Sequence, residues 1–209
     1  MRYLFSGLLL ILSVQSFAYK PKEGNISAVL GPFVSRTNFK PIEQQPKAPY
    51  LGGGGLIVQG DLSDHSALEI AMFQIDKVFY RYENGDFASE QTELVHITLG
   101  YRKWFTPYLS ASCAIFSSYT AGSVIEVDKR IAAGHELLTS ARDITEYGLD
   151  FSIEAEVWSS GRYAAIIDAR YSIDLTRKPN EKADHYGALI GIKYFIQEKQ
   201  IREKPKDSI

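Results

Sequence analysis

The stretch Gly161–Asp174, GRYAAIIDARYSID, alternates between two kinds of side chain. The odd positions from Tyr163 carry Tyr, Ala, Ile, Ala, Tyr and Ile, while the even positions from Arg162 carry most of the charge. A period of two indicates a β-strand, because successive side chains leave opposite faces. This strand alone does not decide whether its apolar face forms a protein core or contacts lipid. In a soluble barrel or sandwich the apolar face forms the core, whereas in a membrane barrel it meets lipid and the charges turn inward.

The first residues have the form of an export signal. Arg2 precedes the apolar run Leu8–Leu12, and Ser16–Ala18 has the small-x-small pattern that a signal peptidase cuts. The apolar run is short for a helix that crosses a membrane. The sequence therefore predicts a signal peptide at residues 1–18, a mature domain at residues 19–196 and a charged periplasmic tail at residues 197–209.

The composition argues against several classes of partner. The chain has 23 basic and 25 acidic side chains, and binding to nucleic acid through charge requires a basic excess. The single cysteine, Cys113, excludes an internal disulfide, and the spacing of a metal site is absent. The glycine run Gly52–Gly55 lacks the Lys and Ser/Thr of a phosphate-binding loop. We therefore expect no nucleic-acid partner, no cofactor and no metal.

Alternating segments of about ten residues continue along the mature chain, as in the strands of membrane barrels. We predict eight strands: Ile26–Arg36, Tyr50–Leu62, Ala67–Tyr82, Glu90–Trp104, Tyr108–Thr120, Ile144–Trp158, Arg162–Leu175 and His185–Ile196. Short connections follow the second, fourth and sixth strands, and the other connections are mostly longer. This alternation is typical of an up-and-down barrel whose two termini lie on the periplasmic side.

Aromatic side chains gather near the ends of the predicted strands. Rings at two levels would form the two interfacial belts of a membrane barrel, although ordinary core packing is the alternative. The predicted interfacial set is Tyr101, Trp104, Phe105, Tyr108 and Trp158 at the short-turn rim, with Tyr119, Tyr147, Tyr171 and Tyr186 at the long-loop rim.

The closing segment Tyr186–Ile196, YGALIGIKYFI, is punctuated by glycine and ends in aromatic and apolar residues. Together with the architecture, it resembles the small eight-stranded outer-membrane barrels of Gram-negative bacteria, the OmpA-like, OmpX-like and OmpW-like families. The resemblance covers Ile26 to Ile196 and implies an all-β, eight-stranded antiparallel up-and-down transmembrane β-barrel. It also implies assembly by the barrel assembly machinery and contact with outer-membrane lipid, including lipopolysaccharide. Residues 197–209 depart from the pattern, and they are too few for a peptidoglycan-binding domain.

Lipid outside the barrel would leave the charged face of each strand inside. Joining the sixth and seventh strands through residues 159–161 pairs Asp150 with Arg170, and a shift of two would keep the faces but change the partners. Because side chains largely fill the interior of an eight-stranded barrel, a salt-bridged plug is favoured over an open pore. The predicted lumen charge network is His96, Arg102, Asp150, Glu154, Glu156, Arg162, Asp168, Arg170 and Asp174.

The third predicted strand changes its pattern halfway. Leu68 and Met72 lie on one apolar face, but Phe73 and Ile75 continue the other face. A β-bulge at Met72–Gln74 would restore a single apolar face.

The long connections supply candidate contact surfaces. The longest, residues 121–143, is unusually apolar; it would extend the barrel as a hairpin or fold over the mouth. Packing on its neighbours is slightly favoured over a contact surface for a partner. Basic residues could neutralise phosphates of lipopolysaccharide: Arg36, Lys40, Lys47, Lys129, Arg130, Arg177, Lys178 and Lys182.

A barrel enzyme would need a catalytic constellation near one rim. The Asp-His neighbours at 64–65 and 184–185 would point to opposite faces of a strand, and the His-x-Ser pattern of lipid A deacylases is absent. We predict no catalytic residues; His135 and His185 are the candidates if the protein has an activity. The predicted function is a structural or cell-surface interaction role, with a surface partner that the sequence does not name. A narrow channel for small solutes and a soluble periplasmic ligand-binding barrel are the alternatives.

Overall fold

The computed structural model describes residues 21–38, 48–137, 145–176, 181–182 and 184–197. The predicted signal peptide and almost all of the predicted tail lie outside these residues, and so do Lys40, Lys47, Arg177 and Lys178. Within the described ranges, no helix is long and apolar enough to cross a membrane.

Eight antiparallel strands close into a barrel. The strands of the chain are β1 (Ile26–Thr37), β2 (Leu51–Ser63), β3 (Ser66–Glu83), β4 (Asp86–Thr106), β5 (Leu109–Thr120), β6 (Ile125–Arg130), β7 (Glu146–Ser160), β8 (Tyr163–Asp174), β9 (Glu181–Lys182) and β10 (His185–Gln197). The ring order is β4-β5-β7-β8-β10-β1-β2-β3, and the pairing of β3 with β4 closes it. Two further strands lie outside this ring: β6 pairs with β4, and β9 pairs with β3. The predicted all-β, eight-stranded up-and-down barrel is confirmed.

The two ends of the barrel differ in their connections. At the short-turn end, two residues connect β2 to β3, β4 to β5 and β7 to β8. The opposite end, here the long-loop end, also has one tight turn, because Asn84 and Gly85 adopt φ angles of 50° and 91°. Positive φ at both central residues is the signature of a type I′ hairpin turn. The predicted loop at residues 83–89 is therefore wrong, and β3 and β4 continue through it.

Cross-strand partners show how strongly the strands tilt. One row of partners runs through Asp61, Ala67, Arg102, Ser112, Ser152, Arg170, Gly187, Ser35 and Leu51. The row returns to β2 ten residues from its start, at Leu51 instead of Asp61. With ordinary strand spacing, this stagger gives a tilt of about 40° and a backbone radius of about 8 Å. Side chains from opposite walls can meet across an interior of that width.

The outer surface of the barrel is apolar. Its surface is a belt of exposed Leu, Ile, Val and aromatic side chains. Within this belt, Leu30, Ile115 and Ile190 each expose more than 60% of their surface. Charged residues such as Glu69 and Arg102 are fully buried on the inner face. This inversion of the usual soluble pattern is what a membrane barrel requires.

The structure corrects the predicted bulge in β3. Both neighbours of β3 keep their register through Met72–Gln74, so the bulge predicted there is wrong. Met72 and Gln74 point outward, whereas Phe73 and Ile75 are buried in the lumen. Apolar residues therefore occupy both faces of β3, and alternation in hydrophobicity fades without any break in the strand.

The predicted register of β7 against β8 is also wrong, by two residues. Asp150 lies opposite Ser172, and Arg170 lies opposite Ser152. The turn consists of Gly161 and Arg162, one residue later than predicted, and a register shift follows Glu156. A shift of two keeps the two faces, so the interior of this wall is the predicted one as far as Glu156.

The long-loop end carries a sheet extension beyond the barrel. The pairing of β2 with β3 ends at Ile75, but β3 and β4 stay paired to their turn, and β6 adds to β4 at Phe87–Gln91. Residues 121–143 thus extend the barrel by a strand in their described part, which ends at residue 137. The prediction that the apolar side chains of this loop pack on its neighbours is wrong for Ile125 and Val127, because about half of each side chain is exposed.

We predict that two adjacent isoleucines of β8 report opposite environments. Ile166 is fully buried and Ile167 is 42% exposed on the outer face. In a Cys113→Ser background, a spin label at Ile167→Cys will relax with lipid-soluble oxygen, and a label at Ile166→Cys will not. Continuous-wave spin-resonance power saturation in vesicles measures this. Equal oxygen accessibility at both positions would contradict the assignment of faces.

Candidate functional site

The centre of the lumen is held by one carboxylate that binds two arginines. Glu69 on β3 accepts a hydrogen bond at 2.5 Å from Arg102 Nε through its Oε2. Its Oε1 accepts a second at 2.8 Å from Arg170 Nη2. Alternation along each strand turns all three side chains inward, and none exposes more than 5% of its surface. Charge-assisted hydrogen bonds of this kind are among the stronger polar contacts in proteins.

A second carboxylate bridges the same two arginines. Asp168 on β8 accepts a hydrogen bond at 3.0 Å from Arg102 Nη2 and another at 2.6 Å from Arg170 Nε. Glu69, Arg102, Asp168 and Arg170 thus form a closed cycle of alternating charge, which we name the charge ring. The strand that carries Glu69 and the strand that carries Asp168 are four places apart among eight. The charge ring therefore joins opposite walls of the barrel.

Three more charged residues surround the charge ring. Arg170 Nη1 donates to Asp150 Oδ1 at 2.9 Å, and Lys193 Nζ donates to Glu154 Oε1. Glu154 also lies 3.7 Å from Arg102 Nη1. We name these three residues and the charge ring together the charge cluster. It contains four carboxylates and three cations, so each buried charge has an opposite charge in contact with it.

Neutral polar groups complete the charge cluster. Arg102 donates to Ser110 Oγ at 2.7 Å and to Ser152 Oγ at 2.9 Å, and Ser172 donates to Asp150 at 2.6 Å. Gln59 reaches Glu154 from the opposite wall at 2.9 Å. These contacts matter because a buried charge is tolerated only when its hydrogen-bonding capacity is also met.

Further contacts cross the lumen above and below the charge cluster. Towards the short-turn end, Lys193 Nζ lies 4.8 Å from the ring centroid of Trp104. Towards the long-loop end, the rings of His96 and His185 are 5.1 Å apart, and Lys77 Nζ donates to Glu146 at 2.7 Å. An apolar cluster also lies inside the barrel: Val29, Phe33, Ile57, Ala71, Phe73, Ile75, Phe79, Leu94, Ala164, Ile166, Leu189 and Phe195. Both ionic and apolar contacts therefore lie inside the lumen.

The predicted network and the observed charge cluster overlap without being identical. Asp150, Glu154, Asp168, Arg102 and Arg170 belong to the charge cluster. The two remaining carboxylates of the prediction lie elsewhere, and so do His96 and Arg162. The predicted pairing of Asp150 with Arg170 occurs as a diagonal ion pair, because the register places the two residues two positions apart.

Four predicted members lie outside the charge cluster. Glu156 is buried at the short-turn end of β7. His96 is buried next to the charge cluster on its long-loop side, with Nδ1 hydrogen-bonded to Ser118 at 2.6 Å and Nε2 3.7 Å from Asp150. Asp174 is half-buried near the long-loop end. Its carboxylate accepts a hydrogen bond from the Thr176 amide at 2.9 Å.

The placement of Arg162 in the lumen is wrong. Arg162 lies in the tight turn after β7 and is exposed. Gly161 has a positive φ of 59°, which makes the turn possible in two residues. The inward-facing positions of β8 therefore begin at Ala164 instead of Arg162.

The predicted interfacial aromatics lie on the outer surface with one exception. Tyr101, Phe105, Tyr108, Tyr119, Tyr147 and Trp158 are exposed, and Tyr171 and Tyr186 are half-buried. Trp104 is the exception, because it is 4% exposed and packs in the lumen against Lys193. The interfacial role predicted for Trp104 is therefore wrong, and its position at a strand end did not decide its face.

Sequence reasoning missed Glu69, Lys193 and Gln59. Glu69 is the only charged side chain between Leu68 and Met72, in a strand whose pattern was left ambiguous. Lys193 is the only charged residue of the closing strand. An isolated charge in an alternating apolar strand was the signal available for both, since such a charge must turn towards the lumen.

The sheet extension has its own polar contact. His135 Nδ1 and Asp86 Oδ2 are 2.7 Å apart, and the Ala132 amide donates to Asp86 Oδ1 at 2.8 Å. The amide, followed by the His135 hydrogen bond, holds the pKa of Asp86 below its ordinary value. This pair connects the end of β6 to the β3–β4 turn. Of the two catalytic candidates, His135 is therefore engaged here and His185 is buried in the lumen. In the described part of the chain, no three His, Cys, Asp or Glu side chains converge as a metal site would require.

Comparison with solved structures places this geometry. The outer membrane protein OprG from Pseudomonas aeruginosa superposes with a TM-score of 0.58 at 10% identity, over 86% of this chain and 99% of OprG. The chain has the fold of the small eight-stranded outer-membrane barrels. This outer-membrane barrel fold, with its apolar exterior, supports an outer-membrane location.

Two other solved outer-membrane proteins match the chain at lower scores. The Ail protein of Yersinia pestis, solved with the heparin analogue sucrose octasulfate, has a TM-score of 0.46 at 10% identity, over 83% of this chain and 99% of Ail. The outer membrane protein AlkL, solved in lipid bilayers, has a TM-score of 0.39 at 10% identity, over 91% of this chain and 99% of AlkL. No protein-family model and no curated protein sequence matches the chain.

We predict that Arg170→Leu destabilises the barrel strongly. The change leaves Glu69, Asp150 and Asp168 with one cation fewer in a buried site, which costs about 3–5 kcal/mol when a buried pair is broken. Urea unfolding of the protein in lipid vesicles measures the free energy. The matched control is Arg162→Leu, an exposed arginine on the same segment, which we expect to change stability by about 0.5 kcal/mol or less. Equal effects of the two substitutions would contradict the charge ring.

Proposed function

We propose that the protein is a closed outer-membrane barrel with a structural or cell-surface interaction role and no catalytic activity. Export through a cleaved signal peptide and insertion by the barrel assembly machinery belong to the same proposal. The apolar exterior and the similarity of fold to OprG support the membrane location. A soluble ligand-binding barrel is disfavoured, because it would expose this entire apolar surface to water.

The proposal of a closed lumen is supported by contacts between opposite walls of the barrel at several levels along its axis. Along β4, Trp104, Arg102 and His96 each contact a residue of a facing strand. Along β3, Glu69 and Lys77 do the same. A water-filled pore would need these side chains to separate, which would leave buried charges without their partners. We therefore favour a plug over the alternative of a narrow channel for small solutes.

The long-loop end is the proposed interaction surface. In an up-and-down barrel this end faces the cell exterior, opposite the two termini. The sheet of β3, β4 and β6 projects there and exposes Tyr82, Ile125 and Val127 beside charged residues. Exposed apolar side chains on a paired sheet are suited to contact with another macromolecule at the cell surface.

We predict that the wild-type protein gives no steady single-channel openings in a planar lipid bilayer. The double substitution Arg102→Ser/Arg170→Ser removes both guanidinium groups from the charge ring and will open a conducting path. Folding of each sample is checked by its heat-modifiable migration before reconstitution. Arg162→Ser, at the short-turn end, is the control and will stay closed. Steady openings from the wild-type barrel would overturn the plug and support the channel.

A further inference from the structure

An arginine stands among tyrosines on the outer face at the long-loop end. Arg36 on β1 lies directly opposite Tyr186 on β10, and Tyr186 lies opposite Tyr171 on β8. Tyr50 immediately precedes Leu51, which is opposite Ser35, so it lies beside Arg36 on the other flank. The row therefore crosses four neighbouring strands, with the cation between aromatic rings.

The side chains of this row contact one another. The Arg36 guanidinium carbon lies 5.2 Å from the ring centroid of Tyr50, and the rings of Tyr50 and Tyr186 meet edge to face at 6.5 Å. Tyr186, directly opposite Arg36, and Tyr50, whose ring lies under the guanidinium, thus place two phenol side chains beside the cation. The side-chain amide of Asn38, the residue that follows β1, donates to the Tyr171 hydroxyl on β8 at 2.7 Å. Arg36 is therefore surrounded by other side chains, unlike an isolated basic residue on a loop.

The side chains of the cluster carry more hydrogen-bond donors than acceptors. A guanidinium has five N–H donors and no acceptor, and each phenol has one O–H donor and one acceptor oxygen. Arg36 Nε is enclosed and has no hydrogen-bond partner in the described part of the chain. Among the residues that the structure describes, the Arg36 guanidinium forms no ion pair with a carboxylate. A cation with unused donors fits an anion with several acceptor oxygens.

The position of the cluster indicates that the anion is a lipid headgroup. Val34, two residues before Arg36 on the same outer face, is 47% exposed, and Leu30 is 67% exposed. Arg36 therefore follows the apolar belt towards the long-loop end, at the level where lipid headgroups lie. Gly52, beside Val34 on β2, has no side chain and leaves open space on this face below Tyr50. A lipid chain can lie against the belt while its phosphate reaches Arg36.

We propose that Arg36, Tyr50 and Tyr186 bind a phosphate group of lipid A in the outward-facing leaflet. The inference rests on the proposed outer-membrane location with the long-loop end outside. A phosphate monoester offers three acceptor oxygens and up to two negative charges, which match one guanidinium and a phenol donor. The contact would fix the barrel in the leaflet on the side of β10, β1 and β2.

The test is native mass spectrometry of the detergent-folded protein with added lipid A. We expect wild type to retain bis-phosphorylated lipid A, and Arg36→Gln to bind it about tenfold more weakly, as loss of one charge-assisted contact implies. Tyr50→Phe, which removes only a hydroxyl, will weaken binding less. Arg162→Gln is the matched control at the opposite end and will bind as wild type does.

Two further arms identify the source of the phosphate. Dephosphorylated lipid A and phosphatidylglycerol, which carries a phosphodiester, will both bind wild type more weakly than bis-phosphorylated lipid A. Equal binding by Arg36→Gln and wild type, equal loss in Arg162→Gln, or no preference among the three lipids would overturn the proposal. Heat-modifiable migration of every variant shows that it is folded. If the wild-type barrel folds and stays closed but shows no preference for bis-phosphorylated lipid A, this binding site is refuted and the proposed function is not.

Discussion

Glu69 and Asp168 each accept hydrogen bonds from both Arg102 and Arg170, and these contacts join opposite walls of a barrel whose exterior is apolar. Lipid can solvate the outer side chains in many arrangements, because one hydrocarbon contact is much like another. The interior has no such freedom, since each charge must meet its partner or bear the cost of desolvation alone. We infer that the charge ring specifies the register of the strands, because a slip would separate these four residues. The same contacts cross the lumen, so stability and the proposed closure have a common origin.

The sequence alone was sufficient for the architecture and for one wall of the lumen. Turns and period-two alternation predicted the ring of eight strands, and the inward face of β7 and β8 was predicted as far as Glu156. The register of that pair was two residues off, because a two-residue turn at Gly161 and a register shift act together. The turn leaves the alternation unchanged, and the shift alters it only after Glu156, where Val157 and Trp158 are both exposed, so the hydrophobic pattern before Glu156 does not reveal the register. Conversely, Asn84-Gly85 is a strong hairpin signal that the sequence did contain.

The residues that the sequence could not place are those for which hydrophobicity and face disagree. Phe73 and Ile75 lie inside the barrel while Gln74 lies outside, because the lumen contains an apolar cluster beside its charges. Trp104 ends a strand and could have faced lipid, but its ring packs against Lys193. A rule that assigns apolar side chains to lipid holds only where the interior is ionic. The balance between ionic and apolar layers depends on contacts across the lumen, which join residues far apart in sequence.

A double-substitution cycle on Glu69 and Arg102 tests most directly whether the charge ring acts as one unit. The free energies of unfolding in lipid vesicles are measured for Glu69→Gln, for Arg102→Met and for the combined protein. Because removing one partner leaves the other charge buried, the combined loss should be smaller than the sum of the single losses by about 1–3 kcal/mol. Losses that add to within about 0.5 kcal/mol would show that the two residues act independently, and would contradict the account.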